Sequence, residues 1–321
     1  MNGLTAQRGA AVRPQGGIEA MVNGLPVVKM NGLGNAIAVI DLRGGEAPLT
    51  VAEAHALAAP SVGLGFDQIM ALHPATDGAD CFMRIYNADG SEAGACGNGT
   101  RCVADLLFAE TGRDRLVLAT EAGALVCTPG DAAHSVTVDM GAPQFAWDRI
   151  PLAGPVDDTR AVTVPLDAVP GAAVIRGAGL IGPASVANVG NPHAIFWVED
   201  IDAIDFAALG PLLERHPLFP ERVNVSLARV DGPDRITLKV WERGAGLTRA
   251  CGTAACATMA TAVRTGRTGH EATIVLPGGE LRLAWRESDG HILMTGPAET
   301  EARGLIDRHS LTVRFEAPRA A

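Results

Sequence analysis

The 321-residue chain has few aromatic residues, fewer basic than acidic residues, and no long apolar run. Because only 4% of its residues are aromatic, aliphatic side chains must fill the cores that a 47% hydrophobic content allows. With 36 acidic residues against 26 basic ones, the net charge of −10 argues against nucleic acid or an anionic membrane as a partner. No run approaches the roughly 20 apolar residues that a membrane-spanning helix needs. We therefore expect a globular chain of two domains that acts on a small molecule.

Motifs for cofactors and metals are also missing. The chain has neither a phosphate-binding loop nor a dinucleotide-binding glycine fingerprint, so we expect no cofactor. Its six cysteines form no Cys-x-x-Cys pair, so we expect no metal site. In the absence of an export signal we expect reduced thiols. We interpret four cysteines as packing residues, two in strand-like runs and two inside helices: Cys81, Cys127, Cys102 and Cys256.

The two ends of the chain differ in composition from the rest. Residues 1–24 are rich in Gly, Ala, Gln and Arg and lack the apolar stretch of a secretory signal. We predict a disordered extension there, or a true start at Met21. Residues 316–321 are predicted to form a loose tail.

One sequence motif occurs twice in the chain. An Ala-Cys-Gly follows a glycine-rich turn and opens an alanine-rich stretch at Cys96 and again at Cys251, which is 155 positions later (251 − 96). Other short matching segments, at Asn35 and Asn191 and at Gln68 and Asn224, lie 156 positions apart (191 − 35 and 224 − 68). A nearly constant offset over such a distance predicts an internal duplication, and this period is far too long for a solenoid. We therefore predict two like domains that face each other.

Short strand-like runs bounded by turn residues dominate each half. In the first half we predict strands over 27–30, 37–41, 82–86, 116–119 and 135–139. Helices are predicted over 50–58, 96–110, 205–215 and 251–264, the first with Thr50 as N-cap and Glu53 completing a capping box, and the second ending at Gly112. The pattern predicts an α+β fold in which a mostly antiparallel sheet wraps around a helix in each half. Packing alone does not decide between a barrel and a sandwich.

The placement of Cys96 and Cys251 predicts chemistry. A thiol at a helix start is expected to have a lowered pKa. The small residues that follow leave the first backbone N–H groups open to an anion such as a substrate carboxylate. Two thiols on opposite sides of one carbon can invert it, one as a thiolate base and the other as an acid, while the N–H groups stabilise the carbanion.

A second set of polar residues occurs at matched places in the two halves. Arg243 suits a carboxylate and Glu242 an ammonium group, so the set fits a zwitterionic ligand. His193 is a candidate base or thiol-activating partner, or else only a turn-stabilising residue. The whole set comprises Asn35, Gln68, Asn87, Asn191, His193, Asn224, Glu242 and Arg243.

Several of these runs, in this order and spacing, resemble the diaminopimelate epimerase family over about residues 25–305. The runs are Lys-Met-Asn-Gly-Leu-Gly-Asn (29–35), Asn-Ala-Asp-Gly-Ser-Glu (87–92), Cys-Gly-Asn-Gly-Thr-Arg-Cys (96–102), Gly-Asn-Pro-His (190–193), Glu-Arg-Gly-Ala-Gly (242–246) and Ala-Cys-Gly-Thr (250–253).

The resemblance implies a pyridoxal-independent epimerase that interconverts LL- and meso-2,6-diaminopimelate, with Cys96 and Cys251 as the acid/base pair. It implies that four backbone N–H groups hold the reacting carboxylate, that Asn87, Asn224 and Arg243 hold the distal one, and that Glu242 lies near the ammonium groups. Asn35, Gln68, Asn191 and His193 would line the pocket. The four N–H donors are those of Gly97, Asn98, Gly252 and Thr253.

The resemblance also implies two pseudo-symmetric domains with the active site in the cleft between them. We expect an N-terminal domain of residues 25–140 plus 297–315, and a C-terminal domain of residues 141–296. A cytoplasmic homodimer that serves lysine and peptidoglycan precursor synthesis is implied as well.

The sequence departs from the family pattern in three places, and two other functions stay open. Ala36-Ile37 stands where an acidic residue and Phe are usual, Leu247 where Glu is frequent, and Ala254 where Gly is frequent. Ala36 puts the hydrogen bonding near Asn35 in doubt. One alternative is a proline or hydroxyproline racemase, for which Glu242 with Arg243 is hard to explain. The other is a non-catalytic amino-acid-binding or redox-sensing protein, which need not retain Arg243.

Overall fold

Among the described residues, the first half of the chain forms eight strands and two helices. The structure is a computed structural model that describes residues 24–59, 65–75 and 77–316; the predicted extension over 1–24 lies outside these residues except for Gly24, and the tail except for Glu316. The elements are β1 (Leu25–Asn31), β2 (Ala36–Asp41), α1 (Val51–Ala58), β3 (Gln68–His73), β4 (Cys81–Asn87), β5 (Glu92–Ala93), α2 (Gly97–Thr111), β6 (Leu116–Thr120), β7 (Gly123–Pro129) and β8 (Ser135–Asp139).

The second half repeats this order. Its elements are β9 (Ala184–Asn188), β10 (Pro192–Trp197), α3 (Phe206–Glu214), β11 (Asn224–Gly232), β12 (Arg235–Glu242), β13 (Gly246–Thr248), α4 (Gly252–Arg264), β14 (Glu271–Leu276), β15 (Gly279–Trp285) and β16 (Ile292–Pro297). Two further strands follow, β17 (Glu299–Asp307) and β18 (Thr312–Phe315). Three short 3-10 turns precede β9, at Leu166–Ala168, Ala172–Val174 and Ala178–Leu180.

The predicted helix ends are confirmed by the caps. Thr50 and Glu53 form the reciprocal capping box at the start of α1. Gly112 ends α2 with φ of 67°, a left-handed conformation that glycine adopts without a steric penalty. Asp205 caps α3, and its side chain accepts a hydrogen bond from the Ala208 N–H.

The two halves have the same strand pairing. In the first half β2 and β3 are parallel, as are β4 and β6, and the other pairs are antiparallel. In the second half β10 and β11 are parallel, as are β12 and β14, at the matching places. The predicted mostly antiparallel sheet is therefore confirmed, with two parallel pairs in each half.

The halves join edge to edge through the antiparallel pair β8–β16, so the sheet runs continuously from one to the other. β17 returns to the other end of the first half, where it pairs antiparallel with β1. α2 packs on β2, β3, β6, β7 and β8, and α4 packs on β9, β10, β11, β14, β15 and β16. Each helix thus lies within the curve of its own sheet, and side chains from both helices contribute to one apolar cluster that extends across the two halves.

The four cysteines that we interpret as packing residues are fully buried. Among the described helices, none is both long and apolar enough to cross a membrane.

Candidate active site

The N-termini of α2 and α4 meet where the two sheets join. Cys96 and Cys251 are the N-caps of these helices, and both have extended backbone conformations. The Gly97 Cα lies 3.8 Å from the position that a Cβ on Gly252 would occupy. The Met294 side chain fills the remaining space, since a Cβ on Gly97 would lie 2.7 Å from its Cε. Glycine after each cysteine therefore lets the two helix ends approach closely.

Cys96 lies in a chain of amide side chains. Its S–H donates a hydrogen bond to Gln68 Oε1 at 2.8 Å, and the Gly99 N–H donates to the sulfur at 3.3 Å. Gln68 Nε2 in turn donates to Asn87 Oδ1 at 3.0 Å, and these two residues are direct neighbours across β3 and β4. The structure therefore brings Gln68 and Asn87, both predicted site residues, to Cys96.

Cys251 lies beside a threonine and a buried carboxyl group. Its sulfur is 3.4 Å from Thr253 Oγ1. Glu242 contacts the same thiol, and the Thr248 hydroxyl donates to Glu242 Oε1 at 2.5 Å. The charge of Glu242 acts on Cys96 as well as on Cys251, so this carboxyl group lies near both thiols.

The prediction of lowered thiol pKa values is wrong for this structure. Burial raises the pKa of Cys96, and the neighbouring charge of Glu242 adds to the rise, while the N–H groups of Gly99 and Asn98 and the charge of Arg101 oppose it. Burial also raises the pKa of Cys251 well above its usual range, again with a contribution from Glu242. Desolvation of the thiolate thus outweighs the favourable helix N-terminus. Burial raises the Glu242 pKa too.

His193 is not placed to act as a base. It is fully buried, and burial together with the charge of Arg243 lowers its pKa to about 3. Its neutral ring donates from Nε2 to Asn191 Oδ1 at 2.7 Å, and within the described residues its Nδ1 has no hydrogen-bond partner. The structure favours the alternative of a turn-stabilising residue, since His193 hydrogen-bonds Asn191 of the same turn.

Asn224 and Arg243 form a second contact in the same half. Asn224 is buried; its Nδ2 donates to the Pro192 carbonyl at 3.0 Å, and its Oδ1 accepts from the Arg243 backbone N–H at 2.9 Å. The Arg243 guanidinium donates to the Glu221 carbonyl at 3.0 Å. Its side chain lines an open cavity of about 480 Å³ that Asn191 also lines.

Asn35 is the last residue of the loop between β1 and β2. Its Oδ1 is buried and has no hydrogen-bond partner among the described residues, so it is available to a ligand donor. The adjacent Gly34 lies against Arg249 and Gly278 of the second half, which places this loop at the junction of the halves. Where the family usually has an acidic residue, Ala36 donates its N–H to Asp67 at 2.9 Å.

Sequence reasoning missed three side chains at the helix junction: Thr248, Met294 and Arg101. Thr248 was identifiable as a polar residue two positions before the Ala250-Cys251-Gly252 copy of the repeated motif. Met294 comes from β16, far from the motifs, and had no sequence signal. Arg101 was identifiable because its counterpart in the repeat, 155 positions later (101 + 155 = 256), is the uncharged Cys256.

One cluster of potential metal ligands occurs among the described residues, formed by Asp139, Asp289 and His291. The Arg286 guanidinium already pairs with both carboxylates, and His291 Nδ1 lies 2.8 Å from Asp139 Oδ1. These ligand atoms are therefore already engaged with one another and with Arg286.

Comparison with known proteins places these motifs in a family. The sequence model described as diaminopimelate epimerase matches residues 27–146 and 185–301. A diaminopimelate epimerase from Rhodopseudomonas palustris (strain BisB5) is 52% identical over 280 residues, which cover 87% of this chain and 92% of the relative.

Solved structures at low identity show the same fold. A phenazine biosynthesis protein of the PhzF family from Bacillus anthracis has a TM-score of 0.61 at 17% identity, covering 89% of this chain and 99% of its own. A hydroxyproline epimerase from Agrobacterium vitis has a TM-score of 0.58 at 18% identity, covering 88% of this chain and 91% of its own. The family match covers most of the chain and includes both cysteine motifs, and the chain belongs to the diaminopimelate epimerase family.

Proposed function

We propose that the protein interconverts LL- and meso-2,6-diaminopimelate by a two-base mechanism that uses Cys96 and Cys251. The observation that carries this proposal is the meeting of two cysteine-capped helix N-termini, one from each half of the chain. Relatives named diaminopimelate epimerase, about 50% identical over 87% of the chain, support this substrate.

The reaction needs one thiolate and one thiol. The thiolate of one cysteine takes the α-proton, so that its S–H bond forms as the C–H bond breaks. The thiol of the other cysteine then delivers its proton to the opposite face of the carbon and becomes the thiolate. Charge is conserved, and the reverse reaction uses the two groups in exchanged roles.

The reacting carboxylate binds at the two helix N-termini. The backbone N–H groups of Gly97, Asn98, Gly252 and Thr253 donate to it, and the positive ends of α2 and α4 favour its negative charge. As the α-proton leaves, charge moves onto the carboxylate oxygens, so that the same donors stabilise the carbanion more strongly than the ground state.

The distal end of the substrate binds toward the open cavity. Arg243 and Asn191 line that cavity, and the Asn224 side chain accepts a hydrogen bond from the Arg243 backbone N–H. We assign the distal carboxylate to Asn87, Asn224 and Arg243, and the ammonium groups to Glu242 and the unpartnered Asn35 Oδ1. Gln68, Asn191 and His193 complete the pocket.

The test is incubation of the reduced protein with LL-diaminopimelate in D₂O, with NMR detection of α-deuterium and of the meso product. We expect both to accumulate, and we expect proline and trans-4-hydroxyproline to be inert in parallel reactions. Absence of exchange with titratable thiols would exclude the epimerase, whereas exchange on proline would favour the racemase alternative. Tight binding without exchange would favour a binding protein.

The domain division, the homodimer and the cytoplasmic location are part of the same proposal. The pairing of β17 with β1 supports the assignment of residues 297–315 to the N-terminal domain. Sedimentation equilibrium tests the dimer, and a single species of 33.1 kDa would contradict it.

A further inference from the structure

Arg101 is a fully buried arginine at the meeting point of the two helices, and its charge has no anionic partner. It lies in the second turn of α2. In the described part of the chain its guanidinium contacts only neutral atoms: Pro297 O at 3.2 Å from Nε, Asn98 Oδ1 at 3.1 Å from Nη2, and Met294 Sδ at 3.8 Å from Nη1. Burying a charge without a counter-ion costs free energy of folding, so we looked for a function that this arginine serves.

The surroundings of Arg101 make room for it. A Cβ on Gly296 would lie 3.1 Å from Arg101 Nε and 3.3 Å from Cζ. Gly296 and Pro297 belong to β16, the strand that joins the second half of the sheet to the first. The guanidinium is thus held against the strand at the junction.

The hydrogen bond to Asn98 extends this contact to the other helix. Asn98 accepts from Arg101 through Oδ1 and donates through Nδ2 to the Ala250 carbonyl at 3.3 Å. Ala250 immediately precedes Cys251. The arginine therefore fixes a side-chain bridge between the first turn of α2 and the residue before the N-cap of α4.

The charged and titratable groups that face Arg101 are thiols. They are Cys96 and Cys102 on α2 and Cys256 on α4. At Cys96 the charge of Glu242 acts in the opposite direction to that of Arg101. The bare positive charge of Arg101 is thus available to whichever anion occupies the helix junction.

We propose that Arg101 is a positioning residue that holds the N-termini of α2 and α4 together through Asn98 and supplies unpaired positive charge to the anion bound there. In the free protein this charge favours the thiolate form of the mostly protonated Cys96, and in the complex it also acts on the substrate carboxylate. The second part rests on the proposed function, and the first does not.

The test uses three variants, each of which removes a different property of Arg101 or of its contact with Asn98. Arg101→Met removes the charge and the hydrogen bonds. Asn98→Asp keeps the arginine but places a carboxylate beside it, which cancels its charge. Arg101→Lys keeps a charge but loses the planar geometry that reaches Asn98. Arg113→Met is the control, because Arg113 follows the far end of α2 and pairs with Asp80 at the surface.

The first readout is the rate of Cys96 alkylation by iodoacetamide against pH, resolved by peptide mass spectrometry without substrate. We expect the rate at pH 7 to fall roughly threefold to tenfold in Arg101→Met and Asn98→Asp, as for a pKa rise of about half to one unit. Arg101→Lys and Arg113→Met are expected to follow the wild-type profile.

The second readout is kcat for epimerisation. We expect it to fall roughly tenfold to a hundredfold in Arg101→Met and Arg101→Lys, because both lose the bridge to Asn98, and to be unchanged in Arg113→Met. Thermal melts identify which variants fold. If Arg101→Met does not fold, Asn98→Asp still tests whether the charge of Arg101 acts on Cys96. Arg101→Lys then tests whether the hydrogen bond to Asn98 is needed for kcat. Folded variants with wild-type alkylation and kcat would overturn the proposal. An inactive wild type would overturn only the proposed function, because alkylation needs no substrate.

Discussion

At the residue scale, the two active-site thiols show what a sequence can and cannot predict. The repeated Ala-Cys-Gly correctly predicts a cysteine at the start of each helix. The lowered pKa that this position implies does not occur, because the pKa also depends on burial. Met294, from another strand, fills the space between the two helix ends, and the charge of Glu242, also from another strand, adds to the rise in pKa.

The raised thiol pKa values predict how activity depends on pH. At neutral pH both thiols are mostly protonated, so a proton must leave before one of them can act as a base. Raising the pH increases the thiolate fraction, so kcat/KM is expected to rise between about pH 7 and pH 9, the latter near the ordinary thiol pKa. Initial-rate measurements across this range check the prediction, and a flat or falling profile contradicts it.

Replacement of either cysteine is predicted to stop epimerisation. A serine hydroxyl is far less acidic than a thiol, so Cys96→Ser or Cys251→Ser removes the base for one of the two faces. We expect kcat to fall by at least about a hundredfold in each. Cys127→Ser serves as the control because that buried thiol lies on β7, away from both helix N-termini. Turnover near the wild-type value in either active-site variant would rule out the two-base mechanism.

The buried His193 predicts a stability change in acid. Its pKa is about 3 in the folded protein and about 6.5 in the unfolded chain, so below pH 6.5 the unfolded state binds the extra proton. This contribution to the free energy of unfolding is complete above pH 6.5, falls by about 2 kcal/mol at pH 5, and is lost further as the pH approaches 3. Urea denaturation of wild type and His193→Gln at pH 7.5 and pH 5 checks it: the advantage of the wild type should shrink at pH 5, and an unchanged difference contradicts the prediction.

At the element scale, local signals predict most of the structure correctly. The capping box at Thr50, the glycine at 112 and the strand-like runs place their elements to within about two residues. The contacts between elements are less accessible to sequence reasoning. The hairpin of β14 and β15, for example, brings Gly278 against the Leu33 carbonyl of the other half. Nothing in the sequence around either residue predicts this contact.

That hairpin contact predicts a sensitive glycine. A Cβ on Gly278 would lie 2.0 Å from Leu33 O and 3.1 Å from Arg249 O, both backbone atoms that cannot rotate away. Gly278→Ala is therefore expected to lower the free energy of unfolding by about 1–3 kcal/mol. It should also raise KM, because the displaced loop carries Asn35. Gly269→Ala is the control, since no atom lies within 4 Å of its added Cβ. Equal stability and KM in the two variants would contradict the prediction.

At the scale of the whole molecule, the duplication is the feature that the sequence predicts best. A constant offset of 155–156 positions corresponds to two sheets with the same order of parallel and antiparallel pairs. The offset does not reveal how the halves join, because the β8–β16 pair and the shared apolar cluster depend on side chains from both copies. Residues 147–183 lie between the two matched stretches of the family model and contain three 3-10 turns that were not predicted.

The meeting of the two halves at their cysteines predicts a reversible oxidative inactivation. The helix N-termini are in contact at Gly97 and Gly252, so the two sulfurs are expected to come within bridging distance after a small rotation of their side chains. Diamide should take one hydrogen from each thiol and leave a Cys96–Cys251 disulfide, with loss of activity that dithiothreitol restores. Peptide mass spectrometry identifies the bridge. Cys96→Ser and Cys251→Ser should not form it, and Cys127→Ser should form it normally. Activity that persists under diamide, or a disulfide between other cysteines, would show that the two thiols do not share one site.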